Sequence, residues 1–312
     1  GIKGFQVQTR TEDPSEGIAG DFYYNSTTGQ FKNISDATGT GTWASSGVVN
    51  TARGWMASAG IQTAGMIMGG DPGARTDKTE LYDGSSWTEV NDLNLIRGQN
   101  VGAGTYTASI TFGGISPPQS PAEIAKTESW DGTNWTEVNA LNQGKYGMSG
   151  FGTQTAAVSG GGFTTTAVNN TETWNGSSWT EVNEMNTARW YLTGAGTQTS
   201  GIAAVGATPS QVNNVETWDG TSWSETTEAN TARDQMCDGA GSSSNNAIIY
   251  GGATPSASAL TEQWDGTSWT EVADLATARK GIGSFGASTK SAVAASGATP
   301  TRITNTEDWN EA

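Results

Sequence analysis

Six tryptophans return at a nearly constant interval. Trp43, Trp87, Trp135, Trp179, Trp223 and Trp269 are separated by 44, 48, 44, 44 and 46 residues. Five positions ahead of all but the first stands another large aromatic: Tyr82, Trp130, Trp174, Trp218 and Trp264. A last partner, Trp309, lies near the end. A period of this size means units that cannot bury their apolar faces alone and must stack or close into a ring.

The repeat overrides the two domains that 312 residues would otherwise suggest. With 43 glycines and many Ser and Thr, the composition suits short strands and tight turns. No segment approaches the roughly 20 apolar residues of a membrane-spanning helix. The formal charge of −16 repels phosphate backbones and anionic membranes, so neither nucleic acid nor membrane insertion is expected. Cys237 is the only cysteine, which excludes an intrachain disulfide; it reads as a small buried hydrophobe. The absence of histidine removes Ser-His-Asp and Cys-His catalysis, His general bases and the usual zinc sites. No metal or cofactor is expected.

The unit from Lys145 to Val182 shows the internal plan. Lys145 to Gly152 reads as a first strand, Thr153-Gln154-Thr155 as a turn, and Ala156 to Gly161 as a second strand ending in a glycine pair. A polar loop from Phe163 to Asn170 leads to a third strand, Thr171 to Trp174, and Trp179 to Val182 is the fourth. Between the last two stands Asn175-Gly176, replaced elsewhere by Asp83-Gly84, Asp131-Gly132, Asp219-Gly220 and Asp265-Gly266. Such pairs tolerate positive φ and favour primed hairpin turns. An even loop count makes Trp174 and Trp179 cross-strand neighbours, with Glu172 and Glu181 on the same face.

Glycine pairs end the second strand at Gly69-Gly70, Gly113-Gly114, Gly160-Gly161 and Gly251-Gly252. Gly206-Ala207 and Gly297-Ala298 keep only the first glycine on this reading. Without a Cβ, the backbone there admits a large ring. Thr-Ala-Arg connectors ending at Arg53, Arg189, Arg233 and Arg279 open four units; Arg97 and Lys145 hold the corresponding places in the others. One cation per unit beside recurring glutamates suggests a ladder of ion pairs between neighbouring units rather than an anion-binding ring.

Five complete units run from Arg53 to about Val272. The sixth has three strands and stops after Thr306-Glu-Asp-Trp309. Its missing fourth strand stands at the other end, in Gly41-Thr-Trp43-Ala-Ser, followed by the usual connector. The expected fold is all-β: a six-bladed β-propeller of four-stranded antiparallel blades. Its N-terminal strand completes the C-terminal blade and removes a free edge. The expected division is 1–40, an arm and hairpin, and 41–312, the propeller.

The order glycine pair, then Tyr or Trp followed by Asp, then Trp five residues on resembles the kelch repeat. Gly69-Gly70, Tyr82-Asp83 and Trp87 carry it, and again Gly113-Gly114, Trp130-Asp131 and Trp135. The use of Trp where kelch repeats more often place Tyr is a departure. WD repeats normally carry a Gly-His pair, which a chain without histidine cannot supply. The resemblance covers about 41–312 and speaks to fold more than function. Among kelch-like enzymes, copper radical oxidases require histidine ligands. The sialidase pattern needs a converging arginine triad, whereas these arginines occupy equivalent repeat positions. Glu128 with Glu137 is a carboxylate pair by register, but it recurs in most units, where a catalytic pair would be unique. Before the propeller, Gly20-Asp-Phe-Tyr-Tyr-Asn25 and Gln30-Phe-Lys-Asn-Ile34 flank Ser26-Thr-Thr-Gly29. This segment is similar to a short hairpin module of bacteriophage tail and fibre proteins. Gly1 to Glu16 reads as a polar extended arm.

Function in such a scaffold belongs to the loops that break the repeat. Connectors between second and third strands are expected on one face with the Thr-Ala-Arg segments. Non-repeating side chains there are Arg75, Asp77, Gln119, Phe163, Gln211 and Arg302. The longest loop carries Pro117, Pro118 and Pro121. The expected role is a non-enzymatic virion-associated structural or adhesin protein. Other virion proteins would hold the N-terminal module, and the loop face would meet a host-surface glycan or receptor, placing the protein on a virion or outside the cell. The alternatives are an extracellular bacterial carbohydrate-binding propeller and a peptide-binding kelch scaffold.

Overall fold

The computed structural model describes residues 8–10, 22–27, 30–33, 41–118, 122–236 and 238–311. Among these every regular element is a strand. By compactness the chain separates into 1–41 with 311–312, and 42–310.

In the first unit, Phe22–Asn25 and Gln30–Asn33 form an antiparallel pair with Tyr24 opposite Phe31. The expected arm contributes more than an extended tail: Gln8–Arg10 is a third strand, parallel to Phe22–Asn25.

The second unit is a six-bladed β-propeller of four-stranded antiparallel blades. Blade one comprises Ala57–Ile61, Ala64–Met68, Thr79–Tyr82 and Trp87–Val90. Blades two to five repeat that order within 101–138, 149–182, 193–225 and 240–272. Blade six is Gly283–Ser288, Ser291–Ala295, Thr306–Asn310 and, from the other end of the sequence, Thr42–Ser46. The first strand of each blade touches that of the next, and the sixth touches the first, which closes the ring about an axis.

The aromatic pairs fall in the register the spacing requires: Tyr82 opposite Trp87, Trp130 opposite Trp135, Trp174 opposite Trp179 and Trp309 opposite Trp43. Third-strand rings are sealed; Trp130, Trp218 and Trp264 are each 1 % exposed. Fourth-strand indoles bolt blades together. Trp135 Nε1 donates to Thr79 Oγ1 of the preceding blade at 3.1 Å, Trp179 to Thr127 at 3.0 Å and Trp223 to Thr171 at 2.9 Å. Trp43 Nε1 donates to Thr261 Oγ1 and Trp87 Nε1 to Thr306 Oγ1, both at 3.0 Å, so the bolts run through the closure. At one seam Val215 stands where the other blades place Thr, and Trp269 Nε1 turns instead to the Thr227 carbonyl at 3.2 Å.

Three sequence readings need correction. The Asp-Gly hairpins are not primed two-residue turns. Four residues separate paired Tyr82 and Trp87, and of these only Gly84 has positive φ. Asp83 instead caps the loop: its Oδ1 accepts the amides of Ser85 and Ser86, each at 2.8 Å, and these bonds hold its carboxyl below the usual range.

The glycine that recurs in all six blades is the second of its pair: Gly70, Gly114, Gly162, Gly206, Gly252 and Gly297. In blade three the relevant pair is therefore Gly161-Gly162, since Gly160 still belongs to the strand. Val205 and Ser296 replace the first glycine while keeping its positive φ of 57°. The second glycine donates its amide to the carbonyl of the next connector cation, as Gly70 does to Arg97 at 2.8 Å. A Cβ on Gly70 would lie 2.9 Å from that of Met56.

The cations form buried pairs: Arg53–Glu80 at 3.2 Å, Arg97–Glu128 at 2.6 Å, Lys145–Glu172 at 3.9 Å, Arg189–Glu216 at 3.2 Å, Arg233–Glu262 at 2.8 Å and Arg279–Glu307 at 2.7 Å. Each pair ties a connector to the blade it leads into, not one blade to its neighbour. At the connector, the link to the preceding blade is the backbone bond from the second glycine. Burial pulls every one of these cations below its ordinary value, Lys145 to about 8. An asparagine completes most cages: Asn50 amide and Nδ2 donate to Glu80 Oε2 at 2.7 and 2.8 Å, and Asn94 repeats this on Glu128. The extra donors offset carboxylate desolvation.

Candidate functional site

The repeat is close to identical in its outer strands, so departures from it mark where selection asked for something other than the scaffold. They gather at one end of the axis. Immediately after each buried cation, one residue forms an isolated bridge with the residue following the glycine pair. These bridges are Gly54–Asp71, Gly98–Ile115, Tyr146–Phe163, Trp190–Ala207, Asp234–Ala253 and Lys280–Ala298. Equivalent backbone thus carries aromatic, acidic, basic or no side chains.

The next residue is left-handed in all six blades: Trp55 at φ 54°, Gln99 at 59°, Gly147 at 61°, Tyr191 at 54°, Gln235 at 55° and Gly281 at 61°. Four of the six carry side chains that rarely adopt this conformation. A hydrogen-bonded belt holds them. Gln99 N donates to Trp55 O at 2.7 Å, Gly147 N to Gln99 O at 3.1 Å and Tyr191 N to Gly147 O at 2.6 Å. Gly281 N donates to Gln235 O, and Trp55 N to Gly281 O, both at 2.8 Å.

The residue types alternate around this belt: aromatic, Gln, Gly, then again aromatic, Gln, Gly. The glycines are required by their neighbours. A Cβ on Gly281 would lie 2.9 Å from Trp55 Cδ2, and one on Gly147 would lie 3.0 Å from Tyr191 Cδ1. The Trp55 and Tyr191 rings therefore lie over glycines of adjacent blades and floor the mouth from opposite sides. Tyr191 Oη donates to Gln99 Oε1 at 3.0 Å, while Trp55 Nε1 is buried without a hydrogen-bond partner.

Phe163 is the expected loop-face residue with the most developed surroundings. Its ring centroid is 5.4 Å from Tyr146 and 4.8 Å from Trp190, and Trp190 stacks on Tyr191 at 4.2 Å. These four rings are half-buried, which leaves a contiguous aromatic wall at the mouth. Burial, with Glu123 nearby, raises the Tyr146 phenol.

Blades one and six meet diagonally opposite this wall. There Asp71 Oδ2 accepts from Arg75 Nη1 at 2.5 Å, and Asp71 Oδ1 pairs with Arg302 Nη2 at 3.2 Å. Arg302 also donates from Nε to the Asp71 carbonyl at 3.1 Å, and its guanidinium lies over the Trp55 ring at 5.5 Å. Arg75 and Arg302, distant in sequence, thus converge on one carboxylate. Gln211 belongs to a third group, donating to Asp234 Oδ1 at 3.3 Å, and burial raises the Asp234 carboxyl. Asp77 is half-buried further along the Arg75 loop. Gln119, Pro121 and Cys237 lie outside the described residues. The sequence reading missed Tyr146, Trp190, Tyr191, Gln99 and Trp55. The signal for them was available, because each occupies a repeat position where the other units place a different residue class.

The Glu128–Glu137 register is as expected, but the two carboxylates have separate tasks. Glu128 is inside the Arg97 cage, and Glu137 pairs at the surface with Lys126.

Below the belt the axis is lined with small residues, among them Gly102, Gly150, Gly194 and Ser284, around a cavity of about 110 Å³. Asp238 of blade five crosses it: Oδ2 accepts the Ser58 amide at 2.6 Å and Oδ1 the Gly102 amide at 3.4 Å. Desolvation outweighs those bonds and pushes its carboxyl up to about 8. No protein-family model matches the chain, and no curated protein is significantly similar to it.

Proposed function

We propose that this protein is a non-enzymatic, virion-associated adhesin. A kelch-type propeller head presents its axial mouth to a host-surface glycan, and the N-terminal hairpin module holds it to other virion proteins. The observation that carries the binding reading is the aromatic wall of Tyr146, Phe163 and Trp190 above the left-handed belt. Aromatic faces suit the C–H faces of sugar rings, and the adjacent Gln and Asp side chains suit hydroxyl groups. Six strained or glycine positions held by a hydrogen-bonded belt keep this surface preorganised. The four-stranded blades give rigidity, and the repeats leave the mouth free to vary. Support for the virion reading comes from the tail-fibre resemblance of the Phe22–Asn25 and Gln30–Asn33 hairpin.

The test pairs a glycan array with immunogold labelling of purified particles. Labelled virions and array hits lost in Trp190→Ala are expected. Array hits without virion labelling would favour the bacterial carbohydrate-binding alternative, and absence of any hit would remove the glycan.

A further inference from the structure

The mouth has a charge asymmetry that a neutral sugar would not use. Twelve of the chain's Lys and Arg lie in residues 42–310, from Arg53 to Arg302. Six are consumed in the buried cages: Arg53, Arg97, Lys145, Arg189, Arg233 and Arg279. Of the six that remain, Arg75, Arg302 and Lys280 stand at this mouth, although the chain as a whole carries −16. Half the spare cations of an acidic protein thus stand at one opening, two of them on the blade-one and blade-six side and opposite the aromatic wall.

The geometry is specific as well. Two guanidiniums share the single Asp71 carboxylate, so the cluster keeps a net positive charge. Arg75 Nε is buried with no hydrogen-bond partner, and the Arg302 side chain is 33 % exposed. Stacking on Trp55 and the Nε and Nη2 contacts to Asp71 fix the Arg302 plane, so that its Nη1 side is preorganised for the carboxylate of a ligand. Trp55 offers an apolar face beside that guanidinium.

Resting on the glycan reading above, we infer that the ligand is a carboxylated glycan, a chain of uronic or sialic acid residues. Its carboxylate sits at Arg302 and Arg75, and its sugar faces lie on Trp55 and across the mouth on the Tyr146–Phe163–Trp190 wall. Arg302 is a specificity residue: it selects acidic over neutral sugars, while the aromatic wall supplies affinity common to both.

The experiment is calorimetric titration of the full chain with oligogalacturonate, with α2,8-linked oligosialate, and with the carboxyl-reduced form of each. Wild type is compared with Arg302→Gln, Arg75→Gln and the off-mouth control Lys126→Gln, all checked for unchanged melting temperature. At least one acidic oligomer is expected to bind 10-fold or more tightly than its reduced form and to weaken with salt. Arg302→Gln or Arg75→Gln should abolish that preference while leaving binding of the reduced form, and Lys126→Gln should leave both. Equal affinity for acidic and reduced oligomers, or a preference that survives both arginine substitutions, overturns the carboxylate assignment and leaves the glycan reading standing. Absence of binding by these probes overturns the carboxylate assignment, and absence of any array hit overturns the reading beneath it.

Discussion

Trp43 and Trp309 face each other as paired residues of one blade, ring centroids 5.5 Å apart, although they come from opposite ends of the propeller sequence. Trp43 also reaches blade five through Thr261, and Ser46 of the same strand shares a hydrogen bond with Tyr82 of blade one, so a single strand fastens three blades of the ring. Trp43→Ala should cost about 3 kcal/mol by loss of buried ring area and the indole bond. Deleting 42–46 should expose the Thr306–Asn310 edge and replace one cooperative unfolding transition with a broad one accompanied by association. Denaturant unfolding with light scattering checks both; an unchanged midpoint would mean the ring closes without this strand.

The Thr bolts give a second test at single-atom resolution. Thr171→Val copies the Val215 seam and leaves Trp223 Nε1 to find another acceptor. The expected loss is about 1 kcal/mol, below the full penalty of an orphaned donor, because Trp269 shows a carbonyl within reach at its own seam. Urea midpoints at constant m-value measure it.

Asp238 should couple stability to pH. Its folded carboxyl, pushed up to about 8, holds a proton that the unfolded chain releases near 4, by the ordinary Asp value of about 3.9. The folded state binds more protons between those limits. The contribution is therefore fully present below about pH 4 and is lost as pH rises toward 8, at up to about 1.4 kcal/mol per pH unit. Asp238→Asn removes the titration. Melting temperatures of the two proteins should be close at pH 4 and diverge in favour of the variant at pH 9; parallel curves would place the carboxyl in a wetter site.

Glycines of one pair should differ. Gly70→Ala meets Met56 at 2.9 Å with φ at 103° and should cost about 3 kcal/mol. Gly69→Ala meets the Arg97 carbonyl at 2.8 Å, but at a φ of 68° close to the 57° that Val205 and Ser296 already hold at the equivalent position, and should cost less, about 1 kcal/mol. Reversal of that order, read from thermal unfolding, would contradict the backbone assignment.

The ring was legible because its signals are periodic. Indole spacing gave the blade count, and the unpaired Trp43 and Trp309 gave the closure. Local geometry was less legible. Asp83 and Gly84 are compatible with several turns, and only the amides of Ser85 and Ser86 show that the side chain is a cap. The glycine frame slipped because Gly160, Gly161 and Gly162 are adjacent and sequence cannot say which two turn left. Asn50 and Gln62, whose Nε2 donates to Trp309 O at 2.9 Å, are polar side chains whose partners lie far away in sequence. At the mouth, Phe163 and Arg302 were found as loop residues. Tyr146, Trp190 and Tyr191 were hidden because they follow the buried cation of the connector, and that cation is the periodic signal there.

The most direct measurement is a crystal structure of the propeller bound to its best-binding array oligosaccharide. Sugar density stacked on Tyr146, Phe163 or Trp190 above the Trp55–Tyr191 floor is the expected result. Density confined to the outer hairpins around Asp83 or Asp131, with the mouth empty, would contradict the placement of function at the axis.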